Sequence, residues 1–104
     1  MLLAAGVGSR LEPLTTQLPK PLVPVANVPC MEHLLRLLKA HGITEVCANL
    51  HYLPEKITEY FGTGEKLGMK LNFHYEEKLS GDAGGVRAMK EYLKDGTSIV
   101  VMVD

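Results

Sequence analysis

The chain has 104 residues, of which 46% are hydrophobic, and 11 Lys or Arg residues nearly balance 12 Asp or Glu residues, for a formal net charge of −1. This length suits one domain or part of one, and the near-neutral charge argues against non-specific binding to nucleic acid or to a membrane surface. No apolar run is long enough to span a bilayer, and the first residues lack the basic start of a signal peptide, so we expect a cytoplasmic protein.

The first predicted element is a strand over residues 1–5, and a long loop with Gly6, Gly8, Arg10 and Lys20 follows it. Glycines let a ligand approach the backbone, and successive amides form an anion site. Arginine suits phosphate oxygens, and prolines on both sides of Lys20 restrict the backbone. A loop of about twenty residues is usually functional or disordered, and the apolar residues spread along it argue against disorder. They are Leu11, Leu14, Leu18, Leu22, Val23 and Val25. We interpret the segment as a polyphosphate-binding active-site loop.

Two common phosphate motifs do not fit this loop. The dinucleotide-binding pattern G-x-G-x-x-G/A requires a glycine or alanine where this chain has Leu11. The Walker A pattern G-x-x-x-x-G-K-[ST] fails at the same residue.

The rest of the chain alternates between helix and strand patterns. Apolar spacing predicts a helix that starts near Pro29 and stops before Gly42, and later apolar and alternating runs predict further elements. These are a strand over 45–50, a helix over 54–61, a strand over 69–75, a helix over 83–94 and a strand over 98–103. The valine-rich last run is typical of a central parallel strand.

This alternation predicts right-handed βαβ crossovers and a parallel sheet with helices on both faces. Ligands of such sheets bind beyond the carboxyl ends of the strands. We therefore expect the 6–10 loop, the 76–85 segment and Asp104 to converge on one cleft.

The cysteines and histidines have no metal-site spacing. We expect Cys30 and Cys47 to be reduced thiols, with a disulfide between them as the less favoured alternative. The four histidines are expected to be structural or solvated. They are His33, His41, His51 and His74.

The segment from Leu3 to Pro29 resembles the signature of the sugar-1-phosphate nucleotidyltransferases, also called nucleotide-sugar pyrophosphorylases. It reads L-A-A-G-V-G-S-R-L-E-P-L-T and then P-K-P-L-V-P-V. The similarity continues through 49–53, 60–62 and 81–85. It implies a Rossmann-like three-layer α/β/α fold with a mostly parallel sheet, of which residues 1–104 are the N-terminal part of the catalytic domain. The sequence therefore reads as an incomplete N-terminal fragment.

The resemblance also implies a set of site residues. The nucleotide-binding residues are Leu3, Ala4, Ala5, Gly6, Gly8, Ser9, Arg10, Glu76 and Gly81. Arg10 would clamp the triphosphate, and Lys20 would neutralise charge near the α-phosphate, which makes these two the catalytic candidates. Glu76 would read the base, and Gly81 would contact it through the backbone. Asp104 would hold Mg²⁺.

Each assignment has an alternative. Arg10 could be a surface ion-pair partner, Lys20 a solvated lysine, Glu76 a solvated loop carboxylate and Asp104 a solvated terminus. Two positions depart from the family pattern: Val103 stands where a glycine is usual, and Asp82 stands where threonine is common. Asp82 has the alternative interpretation of a helix N-cap.

The resemblance implies nucleotidyl transfer from a nucleoside triphosphate to a sugar 1-phosphate, with Mg²⁺ as cofactor. The chain most resembles the mannose-1-phosphate guanylyltransferase-like and glucose-1-phosphate uridylyl- or thymidylyltransferase-like branches. We expect no nucleic-acid or membrane partner and leave homo-oligomer formation open. The alternative is a truncated, inactive nucleotide-binding or oligomerising module, whose last strand would be an apolar sheet edge.

Overall fold

The computed structural model describes residues 1–79, 81–93 and 96–103, with residue 82 described by its backbone alone. Its helices and strands are β1 (Leu2–Leu3), β2 (Pro24–Val25), β3 (Val28–Pro29), α1 (Cys30–Ala40), β4 (Glu45–Leu50), α2 (Pro54–Phe61), β5 (Lys70–Tyr75), α3 (Gly81–Ala88), α4 (Lys90–Leu93) and β6 (Val101–Met102). Four parallel strands form one sheet in the order β5-β4-β1-β6, and β2 and β3 form a separate antiparallel hairpin. No helix in these ranges has both the length and the apolar character needed to cross a membrane.

The sheet is covered on both faces, as the alternation predicts. Side chains on one face, such as Leu2 and Ala48, pack with Met31 of α1 and Ile57 of α2. The intervening side chains point to the other face and pack with α3 and α4, where Cys47 contacts the cluster around Met89. Because successive residues of a strand point to opposite faces, β1 and β4 supply both cores. The three-layer α/β/α prediction is confirmed.

Several predicted boundaries are confirmed by the structure. The strand over 45–50 and the helix over 54–61 have the predicted limits, and Gly62 ends α2 with a positive φ of 55°. Cys30 and Cys47 are not joined by a disulfide, and Cys47 is buried while Cys30 is half-buried. Burial raises the pKa of the Cys47 thiol, which favours the neutral thiol over the thiolate.

The second half of the chain corrects two element predictions. The helix predicted over 83–94 starts at Gly81 and is interrupted at Met89, so that it becomes α3 and α4. The backbone of Asp82 therefore lies in the first turn of α3 and not before it, and its side chain lies outside the described residues.

The strand predicted over 98–103 is limited to Val101–Met102. Among the described residues it lies at an edge of the sheet, paired with β1 alone, and not at the centre that the valine-rich run predicts. Met102 is 54% exposed. An apolar run alone does not distinguish an edge from a centre, because that depends on which strands pair on each side. The described residues therefore include an apolar sheet edge, as the alternative of an oligomerising module predicts.

The long loop contains regular turns that the sequence pattern did not predict. Ser9–Leu11 and Lys20–Leu22 are short 3-10 helices, and the β2–β3 hairpin turns at Ala26–Asn27, both with positive φ. The loop is anchored, as expected, but chiefly by Leu22 and the prolines beside Lys20. Other apolar residues of the loop are exposed and do not anchor it: Leu11, Leu14 and Val25.

Candidate functional site: a cleft at the carboxyl ends of the strands

The glycine loop after β1 is held by hydrogen bonds to Gly8. Gly8 has a φ of 71°, a left-handed conformation that favours glycine, and it precedes the 3-10 helix Ser9–Leu11. Its carbonyl accepts hydrogen bonds from the Leu11 amide at 3.0 Å and from the Thr15 hydroxyl at 2.7 Å. Thr15 is 2% exposed. The loop therefore has a defined conformation that is held by internal hydrogen bonds.

Gly8 also brings the two halves of the loop together. A β-carbon on Gly8 would lie 3.0 Å from Cγ2 of Thr15 and 3.2 Å from Cβ of Lys20. In contrast, a β-carbon on Gly6 would have nothing within 4 Å. Gly8 is thus needed for packing within the loop, and Gly6 is the glycine whose surroundings leave room for a ligand.

A cleft of about 90 Å³ opens where the carboxyl ends of β1 and β6 meet. It is lined by Leu3, Ala4, Gly6, Lys20, Pro21, Met102 and Val103. The two strand ends are joined there by a hydrogen bond from the Val103 amide to the Leu3 carbonyl at 3.2 Å. Four predicted site residues thus share one cleft: Leu3, Ala4, Gly6 and Lys20. Asp104 follows Val103 directly but lies outside the described residues.

The two predicted cations differ in their surroundings. Lys20 is half-buried between two buried prolines and lines the cleft, which is not the environment of a fully solvated lysine. Arg10 is exposed on the 3-10 helix and does not line the cleft. Within the described residues Arg10 has no acidic partner, so the ion-pair alternative finds no support there. Ser9, beside it, is also exposed.

On the other side of β1, Glu76 follows β5 and is buried, with 6% of its surface exposed. Its Oε2 accepts a hydrogen bond from Nδ2 of Asn49 at 3.1 Å. Its backbone is held too, because its amide donates to Leu50 at 2.7 Å and its carbonyl accepts from Nδ1 of His51 at 2.7 Å. The solvated-carboxylate alternative for Glu76 is therefore wrong.

Asn49 connects Glu76 to the strand that enters the glycine loop. Its Oδ1 accepts a hydrogen bond from the backbone amide of Ala4 at 2.8 Å. The segment after Glu76 reaches α3, which begins at Gly81 with a φ of 78°. Ala4, just before the 6–10 loop, and Glu76, at the start of the 76–85 segment, are thus linked through Asn49 at the carboxyl edge of the sheet. No described residue of the 76–85 segment lines the cleft, so the predicted convergence on one cleft stays a prediction.

Sequence reasoning missed several residues that hold this arrangement. Thr15 and Tyr52 fix the loop, because the Tyr52 hydroxyl donates to the Thr15 carbonyl at 2.6 Å. Asn49 holds the carboxylate of Glu76, and Gly85 lets α3 approach Asn49 closely. One local signal could have indicated Asn49, since a lone amide in an otherwise apolar strand needs a buried partner.

The described residues contain no group of three or more His, Cys, Asp or Glu side chains placed to hold a metal ion. A larger cavity of about 500 Å³ lies at the amino ends of the strands and includes Glu45, Tyr92 and Ile99. It contains none of the predicted site residues.

Comparison with known proteins identifies the family. The model of the nucleotidyl transferase family matches residues 1–104, and the chain belongs to that family. The chain is 36% identical over 115 residues to UTP–glucose-1-phosphate uridylyltransferase from Synechocystis, with all of this chain and 30% of the relative covered. It is 36% identical over 100 residues to mannose-1-phosphate guanylyltransferase from Mycobacterium tuberculosis, with 96% of this chain and 28% of the relative covered.

Solved structures agree with this identification. A Bacillus anthracis protein assigned as a glucose-1-phosphate thymidylyltransferase superposes with a TM-score of 0.92 at 26% identity, over 99% of this chain and 42% of that one. CTP:phosphocholine cytidylyltransferase from Streptococcus pneumoniae superposes with a TM-score of 0.73 at 36% identity, over 88% of this chain and 39% of that one. The chain thus spans less than half the length of these relatives.

Proposed function

We propose that this chain forms the nucleotide-binding part of an enzyme that transfers a nucleotidyl group from a nucleoside triphosphate to a sugar 1-phosphate. The observation that carries the proposal is the cleft in which Gly6 and Lys20 meet the carboxyl ends of β1 and β6. Family membership and the names of the relatives support the same reaction.

In this reaction an oxygen of the sugar 1-phosphate forms a bond to the α-phosphorus of the triphosphate. The bond from that phosphorus to the oxygen bridging to the β-phosphate breaks, and pyrophosphate leaves with the electron pair. Because the nucleophile is already charged, the protein mainly positions the phosphates and neutralises their charge. We assign Lys20 to the α-phosphate, and Arg10 with the amides of residues 6–10 to the departing phosphates.

We extend the proposal to Mg²⁺ as cofactor. Mg²⁺ prefers one or two carboxylates together with substrate phosphates, so a chain without a three-ligand cluster among its described residues is compatible with it. Asp104 is the carboxylate we assign to it, and the ion would supply charge neutralisation when bound. We further propose a cytoplasmic location. The near-neutral net charge argues against non-specific binding to nucleic acid.

The test is a calorimetric titration of the chain with GTP, UTP and dTTP, with and without Mg²⁺. We expect binding that requires Mg²⁺ and weakens about tenfold or more in Arg10→Ala, because one charge-assisted contact is lost. Arg36→Ala is the matched control, since that guanidinium pairs with Glu32 on α1, outside the cleft. A folded chain that binds none of the three triphosphates would contradict the proposal, and the preferred triphosphate would identify the branch.

The second candidate function is an oligomerising module, and the exposed edge favours it. Ile99 is 54% exposed and Val100 is 44% exposed beside β6, and an apolar sheet edge invites pairing with another strand. If the chain self-associates there, Val100→Lys will shift it towards monomer in sedimentation velocity, whereas Thr97→Lys, at an exposed polar position, will not. A wild-type chain that is monomeric at all concentrations tested would exclude this candidate.

A further inference from the structure

Asn49 is a polar side chain in the interior of the sheet. It lies on the central strand β4, it is 3% exposed, and its strand neighbours Ala48 and Leu50 are buried and apolar. An amide in such a place is unfavourable unless its donors and acceptors are hydrogen-bonded. An apolar side chain would fill this buried position without needing hydrogen-bond partners, so the amide requires an explanation beyond packing.

Both ends of the Asn49 amide are used by segments that are distant in the sequence. Oδ1 accepts from the Ala4 amide at 2.8 Å, and Nδ2 donates to Oε2 of Glu76 at 3.1 Å. The chemistry determines the orientation of the side chain, because a backbone amide can only donate and a carboxylate can only accept. Asn49 therefore bridges the strand that enters the glycine loop and the carboxylate at the end of β5.

A third segment closes over the same amide. A β-carbon on Gly85 of α3 would lie 2.5 Å from Nδ2 of Asn49 and 3.4 Å from Cδ2 of Leu3. Only a glycine allows α3 to approach so closely. Asn49 is thus enclosed by β1, by the segment after β5 and by α3, which are the three segments around the predicted nucleotide site.

We propose that Asn49 is a positioning residue for nucleotide binding, which sets the start of the phosphate loop at Ala4 and the base-side carboxylate of Glu76 relative to each other. This inference rests on the proposed function. The nucleotide touches two separate segments in that function, and Asn49 is the side chain that ties them together. Replacing the Asn49 side chain will therefore weaken nucleotide binding without removing any group that contacts the nucleotide.

The test uses Asn49→Asp, which keeps the shape of the side chain and replaces its donor with an oxygen. At pH 8 two carboxylates then face each other and Glu76 loses its hydrogen bond, so triphosphate affinity will fall about tenfold. At pH 5 the pair can share a proton, because the nearby like charge raises the pKa of one carboxyl, and affinity will recover towards that of the wild type.

The control is Asn72→Asp, the same change on the neighbouring strand β5, where Asn72 donates to the Tyr92 hydroxyl at 2.8 Å. Three titratable residues lie around Asn49 within the described residues. Glu76 accepts its hydrogen bond, His51 donates to the carbonyl of Glu76, and His74 is the cross-strand partner of Asn49. Measuring the affinity of the wild type and of Asn72→Asp at the same pH values accounts for any effect of pH through these other groups. Asn49→Leu serves as a second variant, which loses both hydrogen bonds without adding charge and will bind weakly at both pH values.

The outcomes are distinguishable. Weak binding by Asn49→Asp at pH 8 that recovers at pH 5, with Asn72→Asp following the wild type, supports the inference. If folded Asn49→Asp and Asn49→Leu both bind triphosphate as tightly as the wild type does, the inference is overturned and the proposed function stands. A folded wild-type chain that binds no triphosphate overturns both.

Discussion

Gly8 and Lys20 pack directly against each other, so that a β-carbon on Gly8 would lie 3.2 Å from Cβ of Lys20. The glycine loop and the cation that faces the cleft are therefore one packed unit, although they are separated in the sequence. The shape of the loop depends on the missing side chain at Gly8 as much as on the lysine.

Gly8→Ala is expected to reduce both stability and triphosphate affinity. The left-handed φ of 71° and the contacts with Thr15 and Lys20 both oppose a methyl group, and we expect a loss of about 2 kcal/mol. Gly42→Ala is the control, because Gly42 has a φ of 82° with nothing within 4 Å and will show the backbone effect alone, about 1 kcal/mol. Urea denaturation and calorimetry measure the two quantities, and equal losses in the two variants would refute the packing role of Gly8.

Tyr52→Phe is expected to loosen the loop. The Tyr52 hydroxyl lies 2.6 Å from the Thr15 carbonyl and 3.0 Å from the Thr16 carbonyl. Its loss should lower the free energy of unfolding by about 1 kcal/mol and leave a half-buried carbonyl without this donor. Tyr75→Phe is the matched control, since Tyr75 is 55% exposed. If thermal unfolding is the same for both variants, the hydroxyl does not hold the loop.

The stability of the chain should depend on the ionisation of Glu32. Burial by itself would raise the pKa of this carboxyl, but hydrogen bonds from Arg36 and Tyr60 and the charge of Arg36 outweigh it, and the pKa lies below its ordinary value of 4.5. Because the folded-state pKa is the lower one, this contribution is present above the unfolded-state pKa and is lost as pH falls through the folded-state pKa.

The measurement is urea denaturation between about pH 7 and about pH 3. Glu32→Gln should be less stable than the wild type at neutral pH and should lose less stability on acidification. Glu59→Gln, at an exposed position on α2, should follow the wild type. An unchanged acid dependence in Glu32→Gln would show that Glu32 is not the group responsible.

Tyr92 should ionise well above the ordinary pKa of a tyrosine. Burial, followed by the hydrogen bond it donates to Glu45 at 3.0 Å, raises the pKa of Tyr92 to about 12. A raised folded-state pKa stabilises the fold below the unfolded-state pKa, and that contribution is lost as pH rises towards 12. Ultraviolet titration should show this step disappear in Tyr92→Phe and move to lower pH in Glu45→Gln. A step unaffected by Glu45→Gln would argue against the hydrogen bond.

Much of the architecture was determined by the sequence alone. The apolar run of β4 and the helical spacing of α2 predicted those elements with their observed limits. Alternating strands and helices predicted the three layers, because parallel neighbours need crossovers. The glycines, Lys20 and the prolines beside it indicated the loop that lines the cleft before any contact was known.

Other features were decided only by the tertiary structure. The edge position of β6, the packing of Gly8 and the bridge from Ala4 through Asn49 to Glu76 each depend on residues that are distant in the chain. Local spacing reports which face of an element is apolar, but it does not report which strand lies beside another or which buried amide meets which carboxylate. Those relationships arise when strand pairing brings the carboxyl ends of β1, β4 and β5 to one edge of the sheet.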